Sequence, residues 1–94
     1  MSNLTPYTGQ DTLLKFPCSF PIKVMGKSAN DFDRLVLEII KRHVHDINEG
    51  AVKTRDSRKG NFVSVTVTIE ARSKEQLDNI YMDLTAHKRV IMAL

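Results

Sequence analysis

Val63-Ser64-Val65-Thr66-Val67-Thr68-Ile69-Glu70 alternates strictly between aliphatic and polar side chains. Successive side chains of a strand point to opposite faces, so this run reads as a β-strand with Val63, Val65, Val67 and Ile69 buried and the hydroxyls turned away. A stripe so uniformly β-branched belongs at the centre of a sheet. Just before it, Ser57-Arg58-Lys59-Gly60 reads as a hairpin turn in which Gly60 is free to take positive φ. The turn leads back to residues 51–56, where Val52 and Thr54 alternate with Lys53 and Arg55. Charge there suits a sheet edge, because it discourages pairing with other chains.

Downstream of the central strand, Ser73 with Gln76 forms a capping-box pattern, and Leu77, Ile80, Tyr81 and Leu84 make one helical stripe that ends near His87. The short apolar run Arg89-Val90-Ile91-Met92-Ala93-Leu94 reads as a last strand. Upstream, Phe20, Ile22 and Val24 alternate with Pro21, Lys23 and Met25, a strand expected to end at Gly26. Pro21 has no ladder donor and belongs where that loss is harmless. Between this strand and the hairpin, Phe32, Leu35, Val36, Ile39, Ile40 and Val44 recur at helical spacing. Ser28 with Asp31 is the expected capping box, with Asn30 a rival cap. Asp31 and Asp33 early, and Lys41, Arg42 and His43 late, suit the helix dipole, and Asn48 and Gly50 close the segment.

The order is β-α-β-β-α-β. Right-handed crossovers then give an α+β, ferredoxin-like sandwich: a four-stranded antiparallel sheet in the order 4-1-3-2, with both helices on one face. Its open face is expected to carry Lys23, Met25, Ser64, Thr66, Thr68, Ile91 and Ala93. With 94 residues the chain holds one domain, read as 16–94 behind a flexible N-terminal segment at 1–15. Hydrophobic residues at 41% and charged residues at 27% fit a globular protein and point away from a disordered or membrane chain. The net charge of +3 is too small to name nucleic acid as the partner. The single cysteine, Cys18, cannot form an intrachain disulfide, and the sequence has neither a signal-like start nor a spanning apolar run. The expected compartment is the cytoplasm.

The stretch Phe16-Pro17-Cys18-Ser19-Phe20-Pro21-Ile22-Lys23-Val24-Met25-Gly26 resembles the opening of the YbeD-like family of small bacterial proteins. Arg42-His43, the hairpin Ser57-Arg58-Lys59-Gly60-Asn61-Phe62 with Ser64-Val65 after it, and the closing Arg89-Val90-Ile91-Met92-Ala93-Leu94 resemble family segments in the same order. The resemblance covers residues 16–94. It implies an ACT-like version of the ferredoxin fold, a class that often serves as a regulatory module binding small molecules or pairing with itself. It also implies a link to lipoate metabolism, and supplies no activity. ACT domains that bind amino acids use a glycine-containing turn after the first strand, which places Gly26 among the candidates.

No catalytic constellation stands out, and no metal or cofactor is expected. His43 and His45 would point about 200° apart on a helix, unlike ligands spaced i and i+4 on one face. His43 reads instead as a charge complement at a helix C-terminus. Cys18 as a thiol nucleophile is an enzymatic alternative, which needs a base from His43, His45 or His87. Lys59-Gly60-Asn61-Phe62-Val63 echoes the strand signature of RNA-recognition modules, but the open face offers Phe62 as its lone ring, where such modules stack bases on several. The function expected is a non-catalytic regulatory or adaptor domain that binds a protein partner or a small metabolite through Lys23, Met25, Gly26, Lys59, Gly60, Asn61 and Phe62. In this reading lysine supplies charge, Gly26 and Gly60 close backbone approach, Asn61 hydrogen bonds and Phe62 apolar contact. The matching structural role is that the glycines only make turns and Asn61 caps the hairpin. Weak, sequence-independent nucleic-acid binding through Lys53, Arg55, Arg58 and Lys59 is the alternative, and pairing of sheet edges would give a homodimer.

Overall fold

The computed structural model describes residues 15–94, apart from the side chain of Glu49. The expected flexible segment at 1–15 therefore lies, except for Lys15, outside the described residues. The elements run β1 (Cys18–Lys27), α1 (Phe32–Ile40), a 3-10 turn (Glu49–Ala51), β2 (Val52–Asp56), β3 (Phe62–Ala71), α2 (Lys74–Ala86) and β4 (Val90–Ala93). The four strands form one antiparallel sheet in the order β2-β3-β1-β4. This is the ferredoxin-like arrangement read from the sequence.

The alternating runs set the register. Ile22 lies opposite Val67 and Val24 opposite Val65, and all four are fully buried. Phe32, Val36, Ile39 and Ile40 of α1, and Leu77, Ile80, Tyr81 and Leu84 of α2, bury their stripes in the same core. Lys23, Ser64, Thr66 and Thr68, on the opposite side of the pleat, keep solvent contact, so both helices cover one face. Pro21 pairs with Thr68. The Lys23 amide donates to the Leu94 carbonyl on the β4 side, and residues two apart on a strand point the same way. Pro21 nitrogen thus faces a stretch of edge that β4 does not reach, and the missing donor costs nothing.

Four local expectations are corrected. β1 does not end at Gly26 but runs to Lys27. Gly26 is buried in the strand against the Phe32 ring, and an added Cβ would meet that ring and approach the Arg89 carbonyl to 2.7 Å. The Ser28–Asp31 box does not form: Asp31 is the N-cap of α1 without a side-chain cap bond, because its carboxylate takes two hydrogen bonds from Arg89, at 2.8 and 3.2 Å. α1 stops at Ile40, so Lys41, Arg42 and His43 lie beyond its last turn rather than in it. His43 is not a dipole complement. Its Nε2 lies 2.7 Å from the Asp83 carboxylate on α2, with Arg42 at 3.8 Å from the same oxygen. Finally, Ala93 sits opposite Val24 and is buried, not on the open face; a β-bulge beside Met25 and Gly26 shifts the register and leaves Met92 opposite Met25.

The second capping pattern is realised with a change of partner. Ser73 Oγ accepts from the Gln76 amide at 3.1 Å, while Gln76 Oε1 accepts from the Arg72 amide at 2.7 Å. Gln76 also donates to the His43 carbonyl at 3.0 Å, which ties the start of α2 to the segment after α1. Among the described residues, no helix is long and apolar enough to cross a membrane.

Candidate functional site: the open face of the sheet

The register fixes which side chains share the uncovered face. Arg55, Ser64, Met25 and Met92 form one row across the four strands, and Lys53, Thr66, Lys23 and Leu94 form the next. Phe62 and Lys27, cross-strand neighbours, stand at the hairpin end. Neighbouring strands lie about 4.8 Å apart, so each row is a linear array of functional groups spanning roughly 15 Å. Its floor is hydroxyl and thioether, and its cations stand on both sides.

At the hairpin end this face dips into a shallow depression of about 200 Å³ whose lining includes Lys23, Met25, Arg55, Asp56, Ser57, Phe62 and Ser64, so that two cations stand there against one carboxylate. The hairpin wall is fixed by its own hydrogen bonds. The Ser57 amide donates to the Phe62 carbonyl (2.8 Å), the Phe62 amide donates to Ser57 Oγ (3.0 Å), and Gly60 turns at φ +73°. The hydroxyl that caps the hairpin is therefore that of Ser57, not the side chain of Asn61. Asn61 instead accepts from the Ser28 amide (3.0 Å) through its carbonyl, joining the hairpin to the loop after β1.

Charge is unevenly distributed over the molecule. The strands β1 to β3 and their hairpin carry Lys23, Lys27, Lys53, Arg55, Arg58 and Lys59 against only Asp56 and Glu70. Among the described residues, none of the four cations on the open face (Lys23, Lys27, Lys53 and Arg55) takes part in an ion pair. The carboxylates Asp31, Asp78 and Asp83 of the helix layer are, by contrast, engaged by Arg89, Lys74 and His43. A partner carboxylate about 4 Å from one such cation gains roughly 1 to 4 kcal/mol of Coulomb energy, and exposed pairs net only about 0 to 1. Affinity would need several such contacts plus burial of Met25, Phe62 and Met92, at about 25 cal/mol per Å² of apolar area.

The structure brings together Lys23, Met25 and Phe62 from the residues proposed on sequence. Lys59, Gly60 and Asn61 lie at the hairpin tip beside the depression, and Gly26 faces the core on the other side of the sheet. Sequence reasoning placed Arg55 and Ser64 nearby without joining them to the site, and missed Met92 and Leu94. The uniform apolarity of β4 carries no parity signal, so only the bulge decides which of its side chains face outward.

Two other constellations were candidates. Cys18 is half-buried in a groove whose titratable lining residues, among those described, are the carboxylates Asp46 and Glu70, whereas an activated thiol is served by a cation or a base. His43 and His45 line a neighbouring cleft of about 310 Å³ that shares Asp46 and Glu70 with that groove and adds Arg72 and Gln76. Among the described residues, no three or more His, Cys, Asp or Glu side chains are placed to hold a metal ion.

Comparison with known proteins agrees with the family resemblance seen in the sequence. The family described as "Protein of unknown function (DUF493)" matches residues 11–94. A UPF0250 protein of Neisseria meningitidis serogroup C is 41% identical over 91 residues, 97% of this chain and all of the relative. One from Nitrosomonas europaea is 42% identical over 85 residues, 90% of this chain and 98% of the relative. Among solved structures, that of protein HP0495 from H. pylori superposes with a TM-score of 0.67 at 16% identity, covering 99% of this chain and 98% of that one, a likeness of fold.

Proposed function

The chain belongs to the DUF493 family, and we propose that it is a non-catalytic regulatory or adaptor domain that docks an acidic protein partner on the open face of its sheet. One observation carries this reading: Lys23, Lys27, Lys53 and Arg55 stand on that face without ion-pair partners among the described residues, around an apolar and hydroxyl floor of Met25, Phe62, Met92, Ser64 and Thr66. Cations at the rim steer and orient an acidic partner, and the apolar floor supplies the contact area. The tie to lipoate metabolism implied by the family resemblance concerns the partner's identity and is read from what is captured.

The test is affinity capture of the tagged chain from its own cells, with the wild type and with a Lys23→Glu/Arg55→Glu variant in parallel. An acidic protein retained by the wild type, released by salt and lost with the variant supports the reading. Equal recovery by both overturns it. A small metabolite that raises the melting temperature of the wild type and not of the variant would replace the protein partner. Salt-sensitive binding of oligonucleotides, lost on Arg58→Glu/Lys59→Glu, would move the assignment to the alternative of nucleic-acid binding.

A further inference from the structure

β2 and β4 form the two edges of the sheet, and they differ in kind. β2 carries Lys53, Arg55 and Asp56, and charge along an edge blunts strand pairing. β4, with the sequence Val-Ile-Met-Ala, has no charge at all. Ile91, Met92 and Leu94 are 56%, 45% and 47% exposed, so among the described residues three of the five exposed large hydrophobics fall within four consecutive positions. An uncharged, apolar strand edge is a template for another strand.

Its backbone is available for that. Leu94 exchanges both hydrogen bonds with Lys23, at 2.7 and 3.0 Å, and in an antiparallel ladder the adjacent residue turns its N–H and C=O the other way. The N–H and C=O of Ala93 therefore point outward from the edge. The surroundings specify the occupant. Lys27, Lys88 and Arg89 share with Ile91 a cavity of about 340 Å³ beside β4, and Lys23 stands across from Leu94. Arg89 is already paired with the Asp31 carboxylate, which leaves Lys27 and Lys88 for a partner. A second copy would bring the same cations to the joint from both sides, whereas an acidic strand meets them with opposite charge.

We infer that the β4 edge accepts an extended segment that alternates aliphatic and acidic residues, its backbone pairing with Ala93, its aliphatic side chains covering Met92 and Leu94 on the open face, and its carboxylates, on the other side of the pleat, entering the cavity that Lys27 and Lys88 share with Ile91. This is β-strand addition. The inference rests on the reading of the open face, and names the element of the acidic partner that would be gripped and where.

A blocked ten-residue peptide alternating Val and Glu is the probe, with a Val and Lys peptide as control, titrated into the labelled full chain and followed by amide shifts and hydrogen exchange. The expected result is slowed exchange of the Ala93 amide with the Glu peptide alone, and affinity lowered about tenfold or more by Ile91→Glu, a surface change that leaves the spectrum of the folded protein intact. No shift with the Glu peptide overturns the inference. So does a response confined to β2 and β3 that Arg55→Glu abolishes and Ile91→Glu does not, and that outcome leaves the open-face reading standing. A free protein that is a dimer in solution and becomes a monomer on Ile91→Glu gives the edge to a second copy and also overturns it. The open-face reading falls separately, when capture by the wild type and by Lys23→Glu/Arg55→Glu is the same.

Discussion

Gly26 is where a single atom decides the packing. The ring of Phe32 occupies the space a Cβ would need, and the Arg89 carbonyl closes the other side at 2.7 Å. Gly26→Ala should destabilise by about 1 to 3 kcal/mol through overpacking, read from urea denaturation. From the sequence alone Gly26 looks like the end of a strand, because glycine interrupts an alternating pattern; nothing local announces that a ring six positions later needs its surface. Asp31 is a similar case. Its spacing from Ser28 suggests a capping box, and the actual partner is Arg89, 58 residues away. The hydrogen bond from the Arg89 guanidinium, helped by its charge, holds the Asp31 carboxyl below the ordinary aspartate value. A depressed carboxyl adds stability that is present above the unfolded pKa, near 3.8, and is lost as pH falls through the folded value. In an NMR titration Asp31 should protonate at lower pH than a free aspartate, and Arg89→Gln should move it back up. Tyr81 goes the other way: burial pushes its phenol up to about 12. The folded state then holds this proton more tightly than the unfolded one, so its contribution is intact below about pH 10 and declines as pH rises toward 12. Absorbance titration of the phenolate, with urea midpoints on either side of pH 10, checks both the value and the sign.

At the scale of elements, the strands with one buried face and α2 were readable because their periodicity and caps agree. Ser73 does cap α2, and Ser73→Ala should cost about 1 kcal/mol of stability with no change in the strand register. α1 was readable in its stripe but not at its end. Val44 continues the apolar spacing and is buried, yet the helix has already stopped at Ile40. The residues after it are held by α2 instead, through His43 with Asp83 and Gln76 with the His43 carbonyl. These are contacts between distant segments, and helical periodicity contains no trace of them. β4 was legible as a strand and illegible in its facing. Every residue of its core run is apolar, so a one-residue bulge could move Ala93 inward and Met92 outward without leaving a mark in the pattern.

At the scale of the whole molecule, Asp31, Asp78 and Asp83 on the helix side are paired with Arg89, Lys74 and His43, and the open face of the sheet keeps its cations. This asymmetry was only half visible beforehand. The basic stretch around the hairpin is plain in the sequence, but its continuation through Lys23 and Lys27 depends on strand pairing, which brings residues some 30 to 40 positions apart into one row. Because Lys23 and Arg55 are exposed, Lys23→Glu/Arg55→Glu should alter folding stability by no more than about 1 kcal/mol while removing partner capture. The most direct measurement is a map of amide shifts in the labelled chain on addition of the acidic protein it captures. Perturbations centred on residues 23–27, 53–56, 62–66 and 91–94, with α1 and α2 unmoved, are the predicted result. A footprint on the helix layer that leaves those strands untouched would contradict the account.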